Sequence, residues 1–86
     1  MTDIDAVLTA RERTHGDYSD VSRISQWLKS WYRSQPGWVN LTDKQQESLD
    51  MIANKTARIL AGDATFADHW EDIAGYATLV ARTLAK

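Results

Sequence analysis

The chain has few of the residues that mark several common protein classes. It contains no cysteine, one proline and four glycines among its 86 residues. The absence of cysteine excludes a disulfide framework and a zinc site with cysteine ligands. Positive charge is not in excess either, because ten lysine and arginine residues stand against twelve acidic ones, for a formal net charge of −2. A non-specific nucleic-acid binder needs a basic surface, so we do not expect that function.

Long apolar runs are also missing. No stretch approaches the roughly 18 consecutive apolar residues that a membrane span requires. The opening segment Met1 to Asp5 has no basic region followed by an apolar run, so we expect no signal peptide. These absences predict a soluble cytoplasmic protein that does not bind membranes.

The chain is small but rich in tryptophan. Its length predicts one domain, residues 1–86, which buries only about 60–65% of the surface of its unfolded form. Small domains often gain stability by associating with copies of themselves, so we expect a homo-oligomer. Three of the four tryptophans, Trp27, Trp31 and Trp38, fall within one short segment. Large aromatic side chains there would anchor a small core or fill an interface.

Helical periodicity dominates the chain, and no segment alternates with the period of two that marks a strand. We therefore predict an all-α fold with four helices, the last two forming an antiparallel hairpin. The first helix is expected to end near Thr14 to Gly16. The second runs from about Ser19 to Ser34 and is ended by Pro36-Gly37.

Two capping signals predict where the later helices begin. Thr42 and Gln45 match a capping box at the start of the third helix, which is expected to stop at Gly62. Thr65, with Asp68 three residues later, predicts the N-cap of the fourth helix.

The apolar positions at helical spacing predict which side of each helix is buried. They are Val21, Ile24, Leu28 and Trp31 on the second helix, Leu49, Ile52, Ala53, Thr56, Ile59 and Leu60 on the third, and Phe66, Trp70, Ile73, Ala77, Val80 and Leu84 on the fourth. Gly75 lies inside the fourth helix, where glycine costs about 1 kcal/mol relative to alanine. We interpret it as a point of close approach by another helix or a ligand.

A polar stripe runs along the third helix, opposite its apolar arc. It consists of Glu47, Asp50, Asn54 and Arg58. One interpretation is a solvated face in which residues at i and i+4 pair weakly. The other is that the stripe faces a partner helix or a ligand cleft.

The fourth helix carries polar residues at the edge of its apolar arc. Asp72 is expected to be partly buried and therefore to need a partner, either Lys55, His69, Arg13 or a metal ion. His69 itself is either a hydrogen-bonded structural residue or a ligand.

The segment from Arg11 to Tyr18 concentrates charge, a turn glycine and an aromatic ring between two helices. Arg11 and Arg13 would meet an anionic ligand, with Tyr18 stacking on its ring. The alternative is an ordinary helix C-terminus with favourable basic residues, followed by a turn that begins at Asp17.

Three segments together resemble a family of small proteins from tailed phages and prophages. They are His15-Gly16-Asp17-Tyr18, then Leu49 to Lys55 with Ala57 to Leu60, and His69 to Ala77. The resemblance spans most of the chain and implies the cytoplasm of an infected bacterium as its setting. It carries no established activity.

A more distant similarity is to the all-α nucleoside triphosphate pyrophosphohydrolases of the MazG and dUTPase kind. Those enzymes hold magnesium with a Glu-x-x-Glu pair on one helix and a Glu-x-x-Asp pair on the next. Glu47-x-x-Asp50 is similar to the first pair, and the stretch from Asp72 to Tyr76 resembles the second from its aspartate onward. His69 stands where those enzymes have the glutamate of the second pair.

This resemblance implies a set of site residues. Glu47, Asp50 and Asp72 would hold Mg²⁺, and the reaction would split a nucleoside triphosphate between its α- and β-phosphates. The expected phosphate- and ligand-binding residues are Arg13, Lys55, Arg58, His69, Tyr76 and Tyr18. The alternative functions are nucleotide binding without hydrolysis and a non-catalytic interaction module that acts on a host or phage protein.

Overall fold

The computed structural model describes residues 2–84, in which it places four α-helices and one short 3-10 helix. These residues contain no strand, so the predicted all-α fold with four helices is confirmed. None of the described helices is long and apolar enough to cross a membrane. The helices are α1 (Thr2–His15), α2 (Tyr18–Ser34), the 3-10 helix (Pro36–Asn40), α3 (Asp43–Ala61) and α4 (Ala67–Leu84).

Local sequence signals set most of the helix ends. Gly16 follows the last residue of α1 with a φ of 85°, a left-handed conformation that favours glycine. At the start of α3 the predicted capping box is present. The Gln45 amide donates to Thr42 Oγ1 at 3.2 Å, and the Thr42 amide donates to Gln45 Oε1 at 2.9 Å.

The predicted cap of α4 is wrong. The Thr65 hydroxyl donates a hydrogen bond to Asp63 Oδ1 at 2.6 Å, and the Thr65 amide donates to the same oxygen at 2.8 Å. These bonds form a turn two residues before the helix and lower the pKa of Asp63. An aspartate in a turn commonly accepts hydrogen bonds from the backbone two residues on, and this arrangement competes with a threonine cap.

The three longer helices form a flat layer with α3 in the middle. Asp50 on α3 pairs with Arg33 of α2, whereas Lys55 on α3 pairs with Asp72 of α4. Asp50 and Lys55 lie about 140° apart around the α3 axis. The two neighbours therefore flank α3 on opposite sides, and α2 and α4 make no substantial contact with each other in the described part of the chain.

The interior of this layer is small. Its fully buried residues have short side chains or lie at one end of the layer, and α1 adds little, because residues 3–13 are all exposed. The molecule is consequently extended, with a radius of gyration of 14.9 Å against about 12 Å for a compact domain of this length. The buried side chains are Val21, Ser25, Ser48, Ala53, Ala57 and His69.

Most of the residues predicted to be buried are not fully buried. Of the sixteen positions expected to be buried on the second, third and fourth helices, only Val21 and Ala53 are fully buried, nine are half-buried and five are exposed. Ala57 is also fully buried, although it was not among the expected positions. The α3 side that carries Leu49 and Ile52 points neither at α2 nor at α4, because those helices pack on the flanks of α3. Helical periodicity identified the apolar side of each helix correctly but not whether the same chain covers it.

Gly75 is not a point of close approach within the chain, so that interpretation is wrong for the single chain. A Cβ atom built on Gly75 would meet no atom within 4 Å. The glycines that do lie in close contacts are Gly16 and Gly62.

Candidate ligand-binding site

The turn after α1 packs directly on the turn after α3, and this turn crossing positions every group of the candidate site. The crossing consists of residues 14–16 and residues 61–63. A Cβ atom on Gly16 would lie 2.6 Å from the carbonyl carbon of Ala61, and one on Gly62 would lie 2.6 Å from the Gly16 amide nitrogen. The Asp63 amide donates to the Thr14 carbonyl at 3.0 Å. Only glycine allows two backbones to approach this closely.

His69 lies beneath the turn crossing and is 1% exposed. Its Nε2 lies 2.7 Å from the Thr14 carbonyl oxygen, which can only accept, so this nitrogen carries the proton. The His69 ring makes edge contacts with the rings of His15 and Phe66, with distances between ring centroids of 4.8 Å and 4.9 Å. This packing encloses His69, and the open cavity of the site is formed by other residues.

A cavity of about 330 Å³ opens between α1, the start of α2 and the end of α3. We call it the Arg11–Arg58 cleft. Its volume is at the lower end of the range for small-molecule sites. Its lining residues are Leu8, Arg11, Glu12, His15, Gly16, Tyr18, Val21 and Arg58.

The cleft brings two guanidinium groups together. Neither Arg11 nor Arg58 forms a side-chain hydrogen bond or a salt bridge within residues 2–84. Burial lowers the pKa of Arg58, and the charge of Arg11 lowers it further. Asp72 offsets part of this lowering by raising the pKa of Arg58. The Arg58 guanidinium nevertheless stays protonated at neutral pH. Two neighbouring cations that repel each other and form no salt bridge favour the binding of an anion.

The charges of the cleft also affect the pKa of His15. Its pKa is lowered, first by burial and then by the charges of Arg11 and Arg58 and by His69. The imidazole of His15 is therefore neutral at pH 7. The positive field at the cleft comes from Arg11 and Arg58. An anion that neutralised these charges would let the pKa of His15 rise.

The lowered pKa of His15 predicts a loss of stability in mild acid. The unfolded chain takes up a proton near the ordinary histidine pKa of 6.5, before the folded chain does. The His15 contribution to the free energy of unfolding is thus complete above pH 6.5 and is lost as pH falls through the folded pKa. Denaturant titrations between pH 5 and 8 check the direction, with His15→Gln as the variant expected to lack this component. A folded His15 pKa at or above 6.5 in an NMR titration contradicts the prediction.

Asp50, a predicted magnesium ligand, forms an ion pair with Arg33. The Arg33 guanidinium binds both of its carboxylate oxygens, at 3.0 and 2.7 Å, in the bidentate geometry that makes such pairs strong. The same guanidinium lies 4.5 Å above the Trp38 ring, which stacks on Tyr32. Asp50 thereby joins α2, the 3-10 helix and α3.

Asp72, a second predicted magnesium ligand, pairs with Lys55 at 3.0 Å. Lys55 was one of the partners expected from the sequence, and this pairing is confirmed. The expected partial burial of Asp72 is wrong, because the residue is exposed. The Lys55 side chain is 12% exposed and that of Asp72 is 47% exposed, so most of the lysine side chain is covered while about half of the aspartate side chain reaches solvent. Lys55 is consequently a poor contact for an external phosphate unless Asp72 moves.

The remaining predicted site residues are dispersed. Glu47 and Tyr76 border a separate, largely apolar hollow between α3 and α4, and Arg13 is exposed in the last turn of α1. Within residues 2–84, no three acidic or histidine side chains lie close enough to share a metal ion. The magnesium site of Glu47, Asp50 and Asp72 therefore has no preformed cluster in a single chain, and magnesium binding stays a prediction.

Two of the predicted ligand-binding residues do meet in the cleft, namely Arg58 and Tyr18. Arg11 lies there too, as the charge concentration between Arg11 and Tyr18 indicated. His15 was part of a recognised motif but had no assigned role. Arg33 was missed altogether, because no local spacing links it to Asp50 across the intervening turn.

The fold and the cleft together define a small all-α protein with a cationic cavity beside a turn between helices. No protein-family model, curated protein or solved structure matches the chain. The similarities to phage proteins and to the pyrophosphohydrolases therefore depend on their motifs alone.

Proposed function

We propose that the protein binds a small phosphorylated ligand with a planar ring, a nucleotide, in the Arg11–Arg58 cleft. The observation that carries the proposal is the pair of guanidinium groups on one cavity without a carboxylate partner in the described chain. Arginine binds phosphate through a planar fork of N–H donors. Two such forks at one cavity suit a ligand with one or more phosphate groups.

The other residues of the cleft fit the rest of such a ligand. Tyr18 is 79% exposed at the mouth of the cavity, and a free aromatic ring there offers a surface on which a base can stack. Leu8 and Val21 supply apolar contacts. Glu12, also in the lining, repels phosphate and can accept a hydrogen bond from a base or sugar.

Binding, rather than pyrophosphohydrolysis, is the activity that this geometry supports. The carboxylates that would position magnesium in such an enzyme are paired with Arg33 and Lys55. Hydrolysis would require both pairs to open and Glu47, Asp50 and Asp72 to converge. Magnesium would then enter with the nucleotide phosphates, as that ion commonly does.

Replacing Arg58 with glutamine should weaken nucleotide binding by about 10-fold or more, because one charge-assisted contact to phosphate is lost. Arg11→Gln should have a similar effect. The measurement is calorimetry with nucleoside mono-, di- and triphosphates, with and without magnesium. NMR gives a second readout, since nucleotide binding should raise the pKa of His15.

Arg23→Gln is the matched control for this experiment. Arg23 lies exposed on α2 and pairs with Asp20 at 3.3 Å, away from the cleft. Its substitution should leave the dissociation constant within about 2-fold of the original value. The absence of nucleotide binding at millimolar concentration, or equal binding by all three variants, would exclude the cleft as the site. Release of pyrophosphate from any triphosphate would instead restore the enzymatic prediction.

A second candidate function is a non-catalytic interaction module that acts on a host or phage protein. The large apolar side chains exposed on α2 and α4 favour it, since such side chains commonly mark interaction sites. The motif resemblance supports a setting inside an infected bacterium.

A further inference from the structure

One side of the three-helix layer is apolar, and no described helix covers it. We define the apolar face by the residues that α2, α3 and α4 turn to this side. They are Ile24, Leu28 and Trp31 on α2, Leu49, Ile52, Thr56 and Ile59 on α3, and Ile73, Ala77 and Leu84 on α4.

Helix geometry places these residues on the same side. On α3, the apolar row lies on the wide arc between Asp50, which faces α2, and Lys55, which faces α4. Both neighbours run antiparallel to α3. On α2 and α4, the residues that lie about 90° around the helix axis from those facing α3 are on the same side of the layer as Leu49. They include Trp31 of α2 and Ala77 of α4.

The face remains open to solvent. Seven of its ten residues are half-buried and three are exposed, among them Trp31 at 53% and Leu84 at 61%. The first helix does not cover it, because α1 meets the layer beside Arg58 on the opposite side of α3. A domain usually consists of at least two packed layers, and here the second layer is missing.

The exposed area has the size of a subunit interface. The chain exposes 6149 Å², whereas a folded monomer of 9.7 kDa exposes about 5,100 Å². The excess of about 1,000 Å² compares with the roughly 800 Å² that each partner buries in a standard interface. Part of the excess belongs to the exposed α1, and the open face accounts for further area.

The charge of the face indicates which partner fits. On α3, the wide arc between Asp50 and Lys55 that forms the middle of the face carries no ionisable residue, although 26% of the chain is charged. A partner surface with charges would lose their hydration without gaining ion pairs. A second copy presents the same uncharged arc, and a two-fold axis pairs such a surface with itself.

We propose that two copies of this chain pair through their apolar faces to form a two-layered dimer of six longer helices. The core that each chain lacks is then supplied by its partner. Tryptophan fluorescence offers a direct readout, because Trp31 passes from solvent into the interface.

The test is the mass in solution of the whole chain across a wide concentration range, measured by light scattering and sedimentation. We expect a mass of twice 9.7 kDa, or a multiple of it, with a tryptophan emission that shifts to the red as dilution dissociates the dimer. Ile52→Glu places a charge at the centre of the face and should raise the dissociation constant by roughly 100-fold, since a buried unpaired charge is costly.

Asn54→Glu is the matched control, with the same new side chain two residues away on the polar side of α3. It should dimerise as the unchanged protein does. Trp31→Lys is the second disrupting variant, and it removes a side chain that is already half exposed within its own chain. If circular dichroism shows that Ile52→Glu does not fold, Trp31→Lys alone serves as the disrupting variant. A monomeric unchanged protein, or dimers that survive the folded disrupting variants, would overturn the proposal.

Discussion

We expect Gly62→Ala to lower the free energy of unfolding by about 3–5 kcal/mol, a large share of the roughly 4–13 kcal/mol available to a chain of this length. The added methyl group would lie 2.6 Å from the Gly16 amide nitrogen and from the carbonyl carbon of His15, and closer still to the Thr14 carbonyl oxygen. All of these are backbone atoms, so no side chain can rotate away. The turn after α1 must move instead.

That movement has a further cost because the Thr14 carbonyl accepts two hydrogen bonds at the crossing. They come from the Asp63 amide at 3.0 Å and from His69 Nε2 at 2.7 Å. Forced overpacking costs about 1–3 kcal/mol, and each lost hydrogen bond costs about 0.5–1.5 kcal/mol. Urea denaturation followed by circular dichroism measures the total.

The matched control is the same substitution at Gly75, where a methyl group would meet nothing within 4 Å. Alanine is the better helix former, so Gly75→Ala should stabilise the protein by about 0.5–1 kcal/mol. If Gly62→Ala and Gly75→Ala shift the denaturation midpoint alike, the turns after α1 and α3 do not pack as described.

Features determined by neighbouring residues were predictable from the sequence. The capping box of Thr42 and Gln45 formed as expected, because both partners lie within one helical turn. The pairing of Lys55 with Asp72 was also among the alternatives, since the antiparallel hairpin of α3 and α4 brings these positions together. In each case the spacing along the chain determines the spacing in the structure.

Features that join distant segments were not predictable in the same way. Gly62 was expected to stop a helix, and it does, but nothing in the sequence indicated that Gly16 would lie against it. Asp50 was assigned to a metal site from a resemblance, and nothing in the sequence indicated that its partner would be Arg33 of another helix. Gly75 was interpreted as a close approach that the single chain does not contain.

The error over the buried helix sides has a different cause. Periodicity reports that a helix has an apolar side, and burial by the same chain was an added assumption. In a dimer that pairs the apolar faces, the predicted buried residues of α3 become interior residues after all. The Arg11–Arg58 cleft lies on the other side of the layer, so each chain of such a dimer would keep its cleft open to ligand.

His69 gives the second large expected effect. We expect His69→Ala to lower the free energy of unfolding by about 2–4 kcal/mol, because it leaves a cavity against Phe66 and His15 and removes a hydrogen bond from the Thr14 carbonyl. His69→Phe keeps most of the ring volume and should cost only the hydrogen bond, about 1 kcal/mol. Denaturant titrations of both variants separate the two contributions.

The same pair of variants decides whether His69 also binds ligand, as the sequence suggested. The buried ring lies outside the lining of the cleft. Its role there is to hold the Thr14–Gly16 turn on the end of α3, which keeps His15 and Arg11 beside Arg58. In His69→Phe the ring volume remains, so nucleotide affinity should stay within about 2-fold of the original. A loss of 10-fold or more in the folded His69→Phe variant would instead make His69 a ligand-binding residue, with the imidazole as the binding group.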